Sequence, residues 1–412
     1  MENKQTPLTE IYVGLRFNEE TRIIGKMAYV AKEIYFEYDK TFLKTEINIS
    51  PFNLALKKGA LKNNDNVFEG LFGVFNDSLP DGWGRLLTDR FFIKNGIPRD
   101  KINLLERLSM VGLNGPGALV YSPDKSELLK NKNGEVNLNT LNKDIKTALD
   151  GKTENVIEKL LILNGSSSGA RPKSMLKVSE DKKSIIYDDN ALIEGYSEWI
   201  IKFTNSNDNP YSGNIEYAYS LMVKSAGIQM EETFLFEGKD NKNYFGIKRF
   251  DRTQKGRLHM HSLCGLVHSD YRVPSLDYDD LLTVTSALTK NMQDVHKAFK
   301  LACFNVLSHN RDDHEKNVCF LMQEDGSWSL APAYDITPSS GPNGWQSMAV
   351  MGEAKNPSIL DLKKLAKEHG IKNVDNILKE VIQALTRWEE FAKIAKVPAK
   401  EIKELSRYLF RT

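Results

Sequence analysis

The order in which the hydrophobic period changes along the chain limits its fold more than any single motif does. Over residues 8 to 50, apolar and polar residues alternate in "EIYVGLRF", "GKMAYV" and "EIYFEYD", the period of short antiparallel strands with one buried face. The period then lengthens. "FNDSLPDGWGRLLTDRFF" and "DKINLLERLSMVGL" read as helices, with Ser78 or Asp81 as caps around Pro80. A polar stretch marked by Gly and Pro at 121 to 137 sets a boundary. From about 150 to 252 strands return in "SMLKVS", "SEWIIKFT", "TFLFEG" and "NYFGIKRF", interrupted by one helix from 213 to 226. Beyond 275 the pattern is helical almost throughout. In "DVHKAFKLACFNVL", Val295, Phe299, Ala302, Cys303, Val306 and Leu307 fall on one helical face.

These periods predict an α+β chain of three regions, strand-rich in its N-terminal part and helical in its C-terminal lobe. The boundaries fall at 1–122, 123–252 and 253–412. Such an order is that of a two-lobed phosphotransferase, although folds host many functions. The 56 basic and 55 acidic residues give a formal net charge of +1, so nothing draws the whole chain toward polyanions or membranes. Cys264, Cys303 and Cys319 lack metal-type spacing and read as small buried hydrophobes in a reduced cytoplasm. The start "MENKQTPLTEIYVGL" has no signal-like pattern, and no stretch reaches the roughly 18 apolar residues of a membrane span, so a soluble cytoplasmic protein is expected.

Phosphoryl transfer requires a loop over the phosphates, a fixed cation, carboxylate and amide ligands for magnesium, and a group that orients the attacking hydroxyl. Each has a candidate here. In "NGSSSGARPKSMLKV", Gly165 and Gly169 let backbone approach an anion, and Arg171 and Lys173 add charge. Lys202 closes the strand "EWIIKF", and fourteen positions later a helix carries Glu216, able to hold its ammonium. In "LSHNRDDHEKNVCFL", Asp312 and Asn317 stand five residues apart, the offset of the kinase catalytic loop H-R-D-x-x-x-x-N. Asp335 in "LAPAYDITPSS" follows "VCFLM" and "WSLAP", whose strand pattern predicts a hairpin that returns it to the first loop. Two departures stand out: Ile and Thr follow Asp335 in place of Phe and Gly, and His314 occupies the usual Lys position.

A second class remains open, a metal-dependent phosphohydrolase using the His309–His314 cluster, with Asp312 and Asp313 among its ligands. It leaves Lys202, Glu216 and the glycine loop unused. His259, His261 and His268 in "RLHMHSLCGLVH" read as a polar element near the lobe boundary rather than a metal site. The five tryptophans read as packing residues.

Together, "SSSGARPKSML", "WIIKF", "IEYAY", "KRFDR", "HNRDDHEKN" and "AYDI" resemble the HipA family, bacterial serine/threonine kinases of type II toxin-antitoxin modules; "FNDSLPDGW" and "NISPFNLAL" are similar to that family's N-terminal subdomain. The resemblance implies ATP and magnesium as cofactors. It implies Asp312 as the catalytic Asp with His314 and Lys316 lining its loop, and Asn317 and Asp335 as magnesium ligands. Gly169, Ala170, Arg171, Lys173 and Lys202 would serve the phosphates, and Lys248 to Phe250 would lie beside adenine. It also implies inhibitory autophosphorylation at Ser166, with Ser168 the next candidate. The partners implied are a helix-turn-helix antitoxin, a protein substrate such as an aminoacyl-tRNA synthetase, and DNA only indirectly through the antitoxin.

Overall fold

The alternation of the first fifty residues becomes an antiparallel sheet. In the computed structural model, which describes residues 7–129, 133–151, 156–164, 171–188, 193–204, 208–239 and 242–409, β1 (Glu10–Leu15), β2 (Arg22–Val30), β3 (Glu33–Tyr38), β4 (Ala60–Lys62) and β5 (Leu119–Ser122) lie in the order β4-β3-β2-β1-β5. Ile11, Val13 and Leu15 of β1 are buried. Period two puts these three on one face. The helices Gly82–Lys94 and Leu104–Val111 fill the interval before β5. Asp81 is the N-cap residue of the first but makes no side-chain capping bond. Ser78 does not cap it either: it is buried and accepts a hydrogen bond from the Tyr121 hydroxyl at 2.7 Å.

The chain divides into two compact units. The first runs to Asp208 and adds Gly246–His261 and Met322–Gly326; the second holds Asn209–Phe245, Ser262–Leu321 and the chain from Ser327 onward. The first unit contains another sheet, built from β6 (Gly134–Glu135), β7 (Lys173–Ser179), β8 (Ile185–Tyr187) and β9 (Tyr196–Lys202). β10 (Thr233–Phe236) belongs to the second unit, and β11 (Tyr244–Lys248) enters the first at Gly246, where it pairs with β9. One expectation fails before this sheet. The helices Leu138–Leu149 and Ile157–Asn164 precede β7, and the second occupies a stretch read as strand. Its buried Ile157, Leu160 and Leu161 have helical i, i+3, i+4 spacing, but the helix is only two turns long and Leu160 to Leu163 are apolar on every face, which blurs that period.

The second unit is mainly helical. Its helices include Ser212–Ser225, Tyr278–Thr289, Met292–Leu307 and Val374–Thr386, and they share one core in which Tyr219, Phe299, Ala302, Leu385 and Trp388 are buried. Val295, Phe299, Ala302, Cys303 and Leu307 line the expected buried face, with Val306 partly covered at its margin. Each fully buried side chain of this kind contributes about 1.5–3 kcal/mol, enough to fix the C-terminal end of Met292–Leu307, from which the polar loop departs. The three cysteines are buried thiols. Trp345 departs from the packing expectation, being 49% exposed. Among the described residues no helix is long and apolar enough to cross a membrane.

Candidate active site

The loop after Met292–Leu307 turns on two residues with left-handed or closely bonded backbone. His309 has φ 60, a conformation more available to Asn, Asp and His than to most residues. The Asn310 amide nitrogen then bonds back to the Asn305 carbonyl at 3.0 Å. Beneath the loop runs a chain of side chains: Asn310 Nδ2 donates to Asn305 Oδ1 at 3.0 Å, Asn305 Nδ2 to the Tyr278 hydroxyl at 3.0 Å, and that hydroxyl to Asp313 Oδ2. Gln346 Nε2 donates to the same carboxylate oxygen at 2.8 Å and to the Asn310 carbonyl at 2.7 Å, and the Ser347 N–H donates to Asp313 Oδ1 at 3.0 Å. Asp313 is therefore an anchor. Burial pushes its carboxyl up to about 6, against the hydrogen bonds from Tyr278 and Gln346 that favour the charged form.

The neighbouring carboxylate faces the other way. The Asp312 side chain is 62% exposed. Its own carbonyl accepts a hydrogen bond from Asn317 Nδ2 at 2.9 Å, so the amide that the offset singled out is tied to the backbone of the carboxylate, with Oδ1 still able to meet a cation. His314 Nε2 lies 4.0 Å from Asp312 Oδ1, too far for a hydrogen bond. Its ring meets that of Tyr271 at 5.1 Å, and the Lys316 ammonium sits 4.9 Å above the same ring, a cation–π contact that positions it. Two bonds bring the Asp335 segment beside this loop: the Tyr334 hydroxyl donates to the Lys316 carbonyl at 2.6 Å, and the Ser339 N–H to the His309 carbonyl at 3.0 Å. Asp335 itself has φ 55.

The cationic candidates belong to the first unit. Lys173 opens β7 and Lys202 closes β9, and the register sets them directly opposite each other. Cross-strand partners share a face, where like charges repel unless an anion compensates them. Arg171, just before Lys173, has its Nε 3.7 Å from Asp208 Oδ2. Lys248 pairs with Trp199, three residues from Lys202, so alternation puts its side chain on the opposite sheet face. Phe250 lies in the turn after β11. Gly169, Ala170, Ser166 and Ser168 lie outside the described residues.

Sequence reasoning missed the Tyr278–Gln346 support and the Tyr271 and Tyr334 contacts. Tyr334 sits inside the quoted "AYDI" and could have been found there; Tyr278 and Gln346 are far from the loop in sequence and carry no local signal. Two other polar groups prove structural. Arg249 of "KRFDR" is buried, donating to Asp251 at 3.0 and 2.8 Å and to Glu198 at 2.9 Å. The second group aligns Asp77 Oδ2, 2.6 Å from His261 Nδ1, with Ser50 Oγ, 3.0 Å from His261 Nε2. That is a carboxylate–imidazole–hydroxyl relay, yet all three residues are buried, so no substrate reaches the serine and the relay acts as a clamp. His259, also buried, bonds to the Ile49 carbonyl. Among the described residues no group of three or more His, Cys, Asp or Glu is placed to hold a metal ion.

The sequence matches the HipA N-terminal domain over residues 18–122 and the HipA-like C-terminal domain over 165–388. A putative kinase of Haemophilus influenzae is 25% identical over 219 residues, 50% of this chain and 59% of that protein. Putative kinase Y4dM of Sinorhizobium fredii is 26% identical over 153 residues, 34% of this chain and 36% of that one. The aligned regions thus span about 59% and 36% of these relatives. The fold is similar to HipA of Shewanella oneidensis, solved in complex with HipB and its operator DNA, with a TM-score of 0.68, 16% identity, and coverage of 96% of this chain and 94% of that one. With the C-terminal domain alone matching more than half of its length, the chain belongs to the HipA family.

Proposed function

We propose that the chain is an ATP- and magnesium-dependent serine/threonine protein kinase of the HipA type, acting as the toxin of a toxin-antitoxin module. One observation carries this reading: an exposed Asp312 carboxylate stands beside an inward-locked Asp313, with Asn317 bonded to the Asp312 backbone. Asp313 and its partners fix the loop, so Asp312 is presented at little entropic cost to accept the proton of a substrate hydroxyl. The Asn317 amide oxygen and the Asp335 carboxylate are hard oxygen donors, which suit magnesium. Asn317 and Asp335 would hold the metal there, and its chemistry would be neutralisation of charge on the phosphates. Lys173 and Lys202 would meet the phosphates of ATP, and the backbone of Lys248 to Phe250 would meet the base.

The hydrolase alternative fits less well. It needs Asp313 and His309 as ligands, but Asp313 is consumed by Tyr278, Gln346 and Ser347, and the His309 ring stacks on Tyr408 at 4.9 Å. Autophosphorylation at Ser166 or Ser168, a helix-turn-helix antitoxin partner, indirect DNA contact and a protein substrate of the aminoacyl-tRNA synthetase class complete the proposal. A phosphate on Ser166 would add about −1.5 to −2 charge beside Arg171 and Lys173, drawing the loop from the nucleotide. The test is incubation with magnesium and ATP labelled at its γ-phosphate. Label on protein is expected, and its positions map the modified serines. Free phosphate with unlabelled protein would replace the kinase reading with the hydrolase one.

A further inference from the structure

Beside the catalytic loop, wholly within the second unit, lies a cavity of about 550 Å³, within the size range of ligand sites. His309 and Arg311 line it from the loop, and Ser340, Gln346 and Asn356 from the segment beyond Asp335, with Tyr408 stacked on His309. No Asp or Glu is among its lining residues. Arg311 has no carboxylate partner among the described residues; its Nη1 donates to the Gly344 carbonyl, which leaves most of the five N–H donors of a guanidinium to be satisfied. Burial lowers its pKa below the usual arginine value, the response of a cation without a compensating anion.

Arg311 is half-buried, and the contrast with the fully buried Arg249 is direct. Arg249 is matched by Asp251 and Glu198 at 2.8 and 2.9 Å. Arg311 instead faces a space rimmed by amide and hydroxyl groups. The loop that closes this space is built to stay close: a Cβ on Gly341, which has φ +68, would fall 1.9 Å from the Trp345 carbonyl oxygen and 2.6 Å from Arg311 Cβ. Only glycine fits there, so segment 340–346 is held against Arg311. The Ser347 hydroxyl also donates to the Arg311 carbonyl at 2.9 Å.

We infer that this cavity is a specificity pocket for an anionic side chain of the protein substrate, a carboxylate or a phosphate, carried within a few residues of the hydroxyl that is phosphorylated. The inference rests on the kinase reading for its role and on the pocket's own chemistry for its ligand. Arg311 immediately precedes Asp312. Their Cα atoms are therefore about 3.8 Å apart, and an extended substrate advances about 3.3–3.6 Å per residue, so hydroxyl and anion must be close in its sequence. A guanidinium paired with a carboxylate or phosphate supplies charge-assisted hydrogen bonds.

The test measures binding without nucleotide, by fluorescence anisotropy, using short serine-centred peptides. A Glu, Gln or phosphothreonine residue is walked through the three positions on either side of the serine. At one position the Glu or phosphothreonine peptide should bind about tenfold or more tightly than its Gln counterpart; which of the two wins identifies the source of the anion. Arg311→Gln should bring that ratio close to one. Because this variant could loosen the loop, Asn356→Asp provides an independent check by placing a carboxylate in the pocket, and should reverse the preference. Equal affinity of the acidic and Gln series at every position, including no binding of either, overturns the pocket. Phosphorylation of the same peptides is read separately: selective binding without phosphoryl transfer would count against the kinase reading while leaving the pocket in place.

Discussion

Asp251 in the first unit and Asp313 in the second are both buried carboxylates, and they answer burial in opposite ways. For Asp251, burial alone would raise the pKa, but the guanidinium groups of Arg249 and Arg252 hold it well below the usual carboxylate range. It also accepts the Gly117 N–H at 2.7 Å, at a glycine whose Cβ would lie 2.7 Å from the Met260 nitrogen. Asp313 has only neutral donors around it, and burial wins, pushing its carboxyl up to about 6. Charge compensation makes the first site a permanent ionic knot. The second is an anchor that holds a loop without placing a cation where magnesium and phosphate would have to come. The motif letters "KRFDR" and "NRDDHEKN" look equally reactive, and charge compensation of the buried carboxylate separates their roles.

The comparison can be broken most strongly at the knot. Asp251→Ala leaves Arg249 and Arg252 buried beside a missing anion, and we expect about 3–5 kcal/mol of destabilisation in urea unfolding. A loss under about 1 kcal/mol would show that the cluster is not compensated as described.

The pH responses should differ in sign. The folded pKa of Asp251 is depressed, so its stabilisation is present above the unfolded value of about 3.9 and is lost as pH falls toward the folded value. Asp313 is raised to about 6, so its contribution is full below about 3.9 and disappears as pH rises through about 6, a change of about 3 kcal/mol. Hydrogen exchange resolved by peptide should show the network around Asp251 failing first in acid. The segment around Ser347 should be better protected near pH 5 than near pH 7 once intrinsic exchange rates are divided out. Parallel pH profiles for the two regions would refute the contrast.

The smallest effect sharpens the second region. Glu315, next to His314, is buried with neither carboxylate oxygen hydrogen-bonded. Glu315→Leu should therefore stabilise the chain by about 1–2 kcal/mol, seen as a higher melting temperature; destabilisation would mean that the carboxylate has work the fold does not reveal.

Much of this was legible in the sequence. Strand alternation located β1 to β3, the apolar face of Met292–Leu307 was readable because each residue on it obeys one period, and the five-residue offset singled out Asp312 and Asn317. The helix Ile157–Asn164 was lost because a two-turn segment that is apolar on every face from Leu160 to Leu163 shows too little period to read. The role of Arg249 was only half readable: Asp251 stands two residues away in the same motif, but Glu198 and Gly115 are 51 and 134 residues away, and long-range pairing leaves no local trace. Ser78 failed as a cap because the helix begins at Gly82 with Asp81 in the N-cap position, while the Ser78 hydroxyl meets that of Tyr121. Local chemistry was readable; its satisfaction by remote partners was not.

The central claim is that Asp312 performs the chemistry and Asp313 holds the loop. It is tested most directly by comparing Asp312→Asn and Asp313→Asn for γ-phosphate transfer from ATP, with each variant's melting temperature measured in the same buffer. Asp312→Asn should keep the wild-type melting temperature and lose transfer by a factor of the order of 10²–10⁴, whereas Asp313→Asn should melt earlier. Undiminished transfer by Asp312→Asn, with its melting temperature unchanged, would contradict the assignment.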